Sequence, residues 1–283
     1  MKLIALAAAF VPLLAAQHRQ SDWTVEDRET INRTFKVAAG DNVSKLLVDN
    51  VNGSIHVTGG AGSEIQVKVE KHIRAESPSD LDRAKHDVTV DMSQDGNSVK
   101  LYENGPFRSP GGGVNWSSDR YRYTVAFDYE IEAPSGAQLE LKELNGPIEV
   151  KNSSGNFKVH TLNGKIDLQG IAGAGSVKSL NGAVKVAFTR NPTAESSFDT
   201  LNGPIDIYFQ PSLDADIAFK TLHGGVYSDF DVTTVPTVIK AGNNGTRFIY
   251  RTGGNMKVRA GKGGPALSFR TLNGAIRLHS KAA

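Results

Sequence analysis

The chain has 283 residues, of which 39% are hydrophobic and 22% charged, with 32 basic against 30 acidic side chains and no cysteine. The absence of cysteine excludes disulfides, thiolate metal sites, a Cys nucleophile and a lipid-modified N-terminal cysteine. A formal charge of +2 gives no electrostatic case for nucleic acid or an anionic membrane.

Residues 1–16 run from Met1-Lys2 through the apolar stretch Leu3 to Leu14 to Ala15-Ala16, the order of a secretory signal peptide, with cleavage expected after Ala16. That stretch is shorter than the roughly 20 residues of a membrane span, and no later segment qualifies. The chain is therefore expected to be exported, to the periplasm, the cell surface or the medium. Residues 17–35 read as a polar arm, either a leader strand or a flexible segment, with Trp23 as its large apolar anchor.

Residues 36–136 form an N-terminal β region. Leu46 and Val48, Ile55 and Val57, then Ile65, Val67 and Val69 alternate at spacing two. Ser77-Pro78-Ser79-Asp80 opens the one helix the pattern supports, near 77–87, with Ser77 as cap. Val88, Val90 and Met92 are expected to pair with Val99 and Leu101 in a hairpin. A Gly/Pro-rich segment, Glu103 to Asp119, precedes the longest alternating run, Tyr121 to Ile131. Within and after that segment, Phe107, Arg108, Trp116 and Arg120 interleave aromatic and cationic groups and form the candidate binding loop, suited to a sugar ring or a protein hot spot.

From 137 to 283 one phrase recurs: Leu144-Asn145-Gly146, Leu162-Asn163-Gly164, Leu180-Asn181-Gly182, Leu201-Asn202-Gly203, Leu222-His223-Gly224 and Leu272-Asn273-Gly274. Asn52-Gly53 is a divergent copy. A period near 20 signals a stacked repeat architecture. Each unit holds two short alternating runs joined at the Asn-Gly. Two geometries use the pattern. An antiparallel hairpin at each Asn-Gly would give a meander or sandwich; a bend would give a β-solenoid, with the Asn residues laddered and the Leu turned inward. The second is favoured, so the expected class is all-β, a β-solenoid or β-helix-like stack of short strands. The stretch before Asn273 has room for two irregular coils, with Arg251 to Val258 as a decayed copy. The last unit ends near the C-terminus and would need capping or a second chain, so self-association through open ends is an expectation.

These phrases, with Phe127-Asp128-Tyr129-Glu130-Ile131-Glu132-Ala133-Pro134-Ser135-Gly136-Ala137, resemble the bacterial putative-adhesin family of unknown function, from about Val43 to Leu278. The resemblance implies an exported β-solenoid-like domain of the cell envelope and supplies no catalytic motif. His223 in place of Asn and the long insertion before Asn273 depart from its pattern.

Chemistry-bearing constellations are sparse. The histidines at 18, 56, 72, 86, 160, 223 and 279 show no metal-ligand spacing, the Gly-rich stretches lack a phosphate-loop setting, and no nucleophile elbow is present. Asp214 with Asp216 and Asp229 with Asp231 have glycosidase-like spacing, but both pairs flank turns, where Asp is favoured for local hydrogen bonds. The sequence therefore points to a structural or adhesion module without cofactor, presenting a repetitive β surface to envelope glycans or proteins. The alternatives are a polysaccharide-acting enzyme on the same scaffold and an envelope-stress accessory protein.

Overall fold

A computed structural model describes residues 23–37, 43–109, 113–115, 121–235, 240–244, 247–251 and 256–281. The signal segment lies outside these residues. The chain opens with β1 (Val25–Lys36), β2 (Lys45–Asp49), β3 (Gly53–Gly60) and β4 (Glu64–Ala75). The expected arm is thus a twelve-residue strand, paired antiparallel with β4 along its whole length. Helix α1 (Pro78–Asp87) follows, with the Ser77 Oγ accepting from the Asp80 N–H. Next come the hairpin β5 (Thr89–Asp95) and β6 (Ser98–Asn104), and the long strand β7 (Tyr123–Pro134).

The repeat units then alternate between two sheets. Their first runs are β8 (Gln138–Asn145), β10 (Phe157–Asn163), β12 (Gly175–Asn181) and β14 (Ser196–Asn202); their second runs are β9 (Ile148–Lys151), β11 (Ile166–Ile171), β13 (Val184–Phe188) and β15 (Ile205–Phe209). Strands flanking a Leu-Asn-Gly never pair with each other. Each pairs in parallel with the equivalent strand of the neighbouring unit, so Val159 aligns with Leu141 and Val177, and Leu168 with Val150 and Val186. The Asn-Gly is a bend between sheets, and hairpin turns at these positions are not observed. Inward residues at period two close one apolar core between the sheets. The change of step from 18 to 21 residues falls at the opposite side of the coil, where Thr189–Glu195 replaces the shorter 172–174 turn.

The last third of the chain departs from sequence order. It contains β16 (Ala215–Lys220), β17 (Val226–Ser228), β18 (Val232–Thr234), β19 (Lys240–Asn244), β20 (Arg247–Arg251), β21 (Met256–Ala260), β22 (Ala266–Arg270) and β23 (Ile276–Ser280). The final unit, β22 and β23, inserts between the fourth unit and the one carrying His223: β22 pairs in parallel with both β14 and β16, and β23 with both β15 and β17. It is therefore flanked on both sides by strands of its own chain, the first of the two arrangements expected for the last unit. Nor does the insertion form two further coils. Its β21, the supposed decayed copy, runs antiparallel to β16 and β18, and β19 pairs only with β20. The N-terminal end repeats the device, since β2 and β3 lie between β8 and β9 on one side and β6 and β7 on the other.

Phenylalanines fill the core around the inserted coil. Phe269 stacks on Phe198 at 5.2 Å and on Phe219 at 5.4 Å, while Phe188 stacks on Phe209 at 5.3 Å. These rings come from different coils, so the aromatic column links units distant in sequence.

Candidate binding faces and the corner ladders

Three sets of hydrogen bonds join successive corners. The side-chain amide of Asn145 donates to the Oδ1 of Asn52, Asn163 to Asn145, Asn181 to Asn163, Asn202 to Asn181 and Asn273 to Asn202, at 2.7–2.9 Å. A primary amide carries both a donor and an acceptor, so each Asn can bond the corner on either side of it. His223 occupies the far end, its Nδ1 3.0 Å from the Oδ1 of Asn273. The contact lets the imidazole take the place of the amide at the end of the row. Backbone bonds run beside the amides: the N–H groups of Gly146, Gly164, Gly182, Gly203 and Gly274 donate to the carbonyls of Asn163, Asn181, Asn202, Asn273 and His223.

The third set comes from the residue before each Leu. Thr161, Ser179, Thr200 and Thr271 are buried, and their hydroxyls donate to the carbonyls of Gly146, Gly164, Gly182 and Gly203 at 3.0–3.1 Å. This packing leaves no space at the glycine. A Cβ on Gly164 would stand 1.9 Å from the Gly146 oxygen, and one on Gly182 1.9 Å from the Gly164 oxygen. The corner is therefore Ser/Thr-Leu-Asn-Gly, with the hydroxyl inward. The Leu itself is not turned inward: Leu201, Leu222 and Leu272 are 38%, 66% and 36% exposed. Leu162 and Leu180 are half-buried at the same outward position, on the side of His160 and Lys158, because the inward site is already taken by the hydroxyl.

One rung can be removed cleanly. Asn163→Ala deletes one donated and one accepted amide bond at an exposed position, and is expected to lower stability by about 1 kcal/mol, measured by urea unfolding. Asn163→Asp should cost more, since a carboxylate cannot donate to Asn145 and faces its oxygen.

At the N-terminal end the hydroxyl site is occupied by other groups. Asn50 and Glu143 stand where the later units carry Ser or Thr, and the Asn50 amide donates to the Glu143 Oε2 at 2.7 Å and the Phe127 carbonyl at 3.0 Å. Glu103, fully buried on β6, accepts from the Val51 N–H through Oε2, while its Oε1, the Asn50 Oδ1 and the Tyr129 hydroxyl have no hydrogen-bond partner. Burial pushes Glu103 up to about 8 and Glu143 up to about 7, against the pull of their hydrogen bonds. Tyr129 is raised well above its usual range by burial and by these two carboxyls. The cluster is enclosed and offers no access to a substrate.

The candidate binding loop is only partly described. Phe107 is 2% exposed and Arg108 is clamped inward, donating to the Asp49 and Glu103 carbonyls and pairing with the Asp49 carboxylate at 2.9 Å. Neither presents a surface, because the two side chains close the end of the core beside β6. Trp116 and Arg120 lie outside the described residues.

The paired aspartates do not converge. Asp216 is held below the usual carboxylate range by Arg259, 2.6 Å away. Asp214 accepts from the Lys262 N–H, and Asp229 accepts from the Ser280 N–H on the other side of the coil. These carboxylates are engaged locally, on different partners, and do not face one another across a groove as a glycosidase pair does. Among the described residues no group of three or more His, Asp or Glu could hold a metal ion, and no helix is long and apolar enough to cross a membrane.

The outer faces differ in charge. On the first sheet, Glu130, His56, Glu149, Asp167, Lys185, Asp206 and Arg277 share one register row of mixed sign, tied by His56–Glu149, Lys165–Glu149 and Arg277–Asp206 contacts. On the second sheet the equivalent row is Asp49, Lys142, His160, Lys178, Asp199, Arg270 and Lys220. Alongside it, an open trough of about 450 Å³ follows the strand starts past Lys45, Glu140, Lys158 and Ser176.

No family model matches the chain, and no curated protein matches it in sequence. Three solved structures are similar at low level. A protein described as a putative cell adhesion protein from Clostridium sporogenes aligns at 13% identity and TM-score 0.44, covering 90% of this chain and all of the other. One described as a putative adhesin from Bacteroides fragilis aligns at 13% identity and TM-score 0.41, covering 88% and 97%. One described as a putative lipid binding protein from Parabacteroides distasonis aligns at 12% identity and TM-score 0.30, covering 88% and 96%.

Proposed function

We propose that the chain is an exported, non-catalytic module of the bacterial cell envelope, a β-solenoid whose flat faces adhere to envelope glycans or proteins. The observation that carries this reading is the unbroken register of corners from Asn52 to His223. It holds outward side chains of successive coils in straight rows, each about 4.8 Å from the next. Rows of that kind suit many weak, repeated contacts that sum to avidity. They do not converge on a reacting atom, and the acids that could have done so are engaged apart from one another. The N-terminal sequence supports export.

The test uses the chain from Gln17 pelleted with isolated envelopes and purified peptidoglycan over a range of salt. Saturable pelleting is expected. Absence of binding in every fraction, or turnover in a broad glycan screen, would overturn the reading, and loss of that turnover on replacing Asp214, Asp216, Asp229 and Asp231 by Asn would assign it to those acids.

A further inference from the structure

The outer face of the second sheet carries fixed positive charge in register, and the first sheet does not. Lys142, His160 and Lys178 stand on adjacent strands, with Lys158 one outward position away on β10. Lys142 shares Glu140 with Lys45, at 3.2 and 3.4 Å, but Lys158 and Lys178 have no ion-pair partner among the described residues. The crowding is felt by His160, whose pKa is lowered by burial and by Lys178 and Lys142. Beside this row the half-buried Leu162 and Leu180 add a narrow apolar strip at the next outward position.

We propose that this face binds an extended anionic polysaccharide of the uronic-acid type, laid across the strands with its carboxylates along the lysine row and its ring faces against the leucines. The inference rests on the reading of the chain as a glycan-contacting envelope module. Charge complementarity selects an anion, because Lys142, Lys158 and Lys178 stand on three successive strands, where they repel one another and are relieved by interposed negative charge. The geometry selects a polymer over a small anion. No cationic groups converge into a pocket here, and single exposed ion contacts are weak and screened by salt, so affinity needs many contacts on one chain. The strand spacing is comparable to one residue of an extended sugar chain, which lets consecutive carboxylates address consecutive strands. The leucine strip distinguishes a sugar polymer from polyphosphate, which has no apolar ring face.

The experiment measures binding of the full chain from Gln17 to polygalacturonate, with polyphosphate and monomeric galacturonate at matched anion concentration. Polygalacturonate is expected to bind saturably and to be released by salt, with the monomer showing no measurable binding. The double variant Lys158→Glu with Lys178→Glu is expected to weaken binding at least tenfold. The first-sheet control, Lys151→Glu with Lys185→Glu, should stay within twofold, and circular dichroism should show both variants folded. Equal loss in both variants, no loss in either, or binding of polyphosphate without polygalacturonate overturns the assignment. If polygalacturonate fails while envelope pelleting persists, this inference alone falls; if both fail, the adhesion reading falls with it.

Discussion

A chain ending at Lys262 is expected to lose most of its cooperative unfolding transition, although it lacks only the last unit. In a simple stack, removing a terminal coil uncovers one neighbour and leaves the rest intact. Here β22 and β23 sit between two other coils, so their loss opens a seam on both sides. Leu267, Phe269, Ile276 and Leu278 are all buried to within 1%. At about 1.5–3 kcal/mol for each such side chain the loss approaches ~10 kcal/mol, comparable to the whole stability of an ordinary domain. Phe269→Ala, which removes the ring between Phe198 and Phe219, is the milder version and should cost about 3–5 kcal/mol. Thermal unfolding followed by circular dichroism decides the matter. A truncated chain melting within a few degrees of the full one would mean that the last unit is peripheral. The arrangement also implies that the coil of β16 and β17 can complete its pairing only after the C-terminal strands arrive, a non-local closure of the kind that slows folding.

The second large effect is a fall in stability as pH rises from about 5 to 8. Glu103 and Glu143 keep their protons in the folded chain up to about 8 and about 7, whereas in the unfolded chain they release them near 4.5. Over that window the folded state binds more protons than the unfolded state, so the slope of unfolding free energy against pH is negative. The contribution is fully present below 4.5 and gone above about 8. At about 1.4 kcal/mol per pK unit, the two raised pKa values together set an upper bound of roughly 8 kcal/mol. His160 acts in the opposite sense, because its lowered pKa makes the folded state gain stability as pH rises through its range. The carboxyl effect is therefore isolated by comparison with variants. Glu103→Gln keeps a neutral acceptor for the Val51 N–H, and Glu143→Thr restores the group found in later coils. Urea unfolding at pH 5.5 and 8.5 should show the wild-type chain weaker at the higher pH, with the difference reduced in both variants. Equal or greater stability at pH 8.5 would contradict the buried, protonated state.

Much of this molecule is legible in the sequence, and the parts that are not have identifiable causes. The Asn-Gly corners, the capped helix at Ser77 and the alternation of Tyr121 to Ile131 are local signals, and local chemistry produces them. The corner hydroxyl was also visible in principle: Thr161, Ser179, Thr200, Thr221 and Thr271 recur two positions before each Asn or His. The adjoining Leu masks this signal, because an apolar residue at a turn suggests burial, whereas the hydroxyl wins the inward site by bonding a glycine carbonyl of the neighbouring coil. Glu103 follows Val99 and Leu101 at the same parity, so a buried acid could have been read from the alternation. By contrast, the insertion of the last coil between earlier ones leaves no local trace, since each strand is equally complementary to either neighbour. The basic face was concealed by a net charge near zero. Only register shows that Lys142, His160 and Lys178 stand side by side on the second sheet.

The absence of native cysteine gives the most direct test of the stacking order. Paired strands place equivalent corner Cα atoms about 4.8 Å apart, within disulfide reach, while corners two strands apart lie near 10 Å, beyond it. Cysteine pairs introduced at the corners and oxidised in the folded chain should therefore cross-link for Asn202→Cys with Asn273→Cys, and for Asn273→Cys with His223→Cys. Asn202→Cys with His223→Cys should remain open despite being nearer in sequence. Rapid cross-linking of that third pair, with none between 202 and 273, would show that the coils stack in chain order and would contradict the inserted coil and the continuous ladder that runs through it.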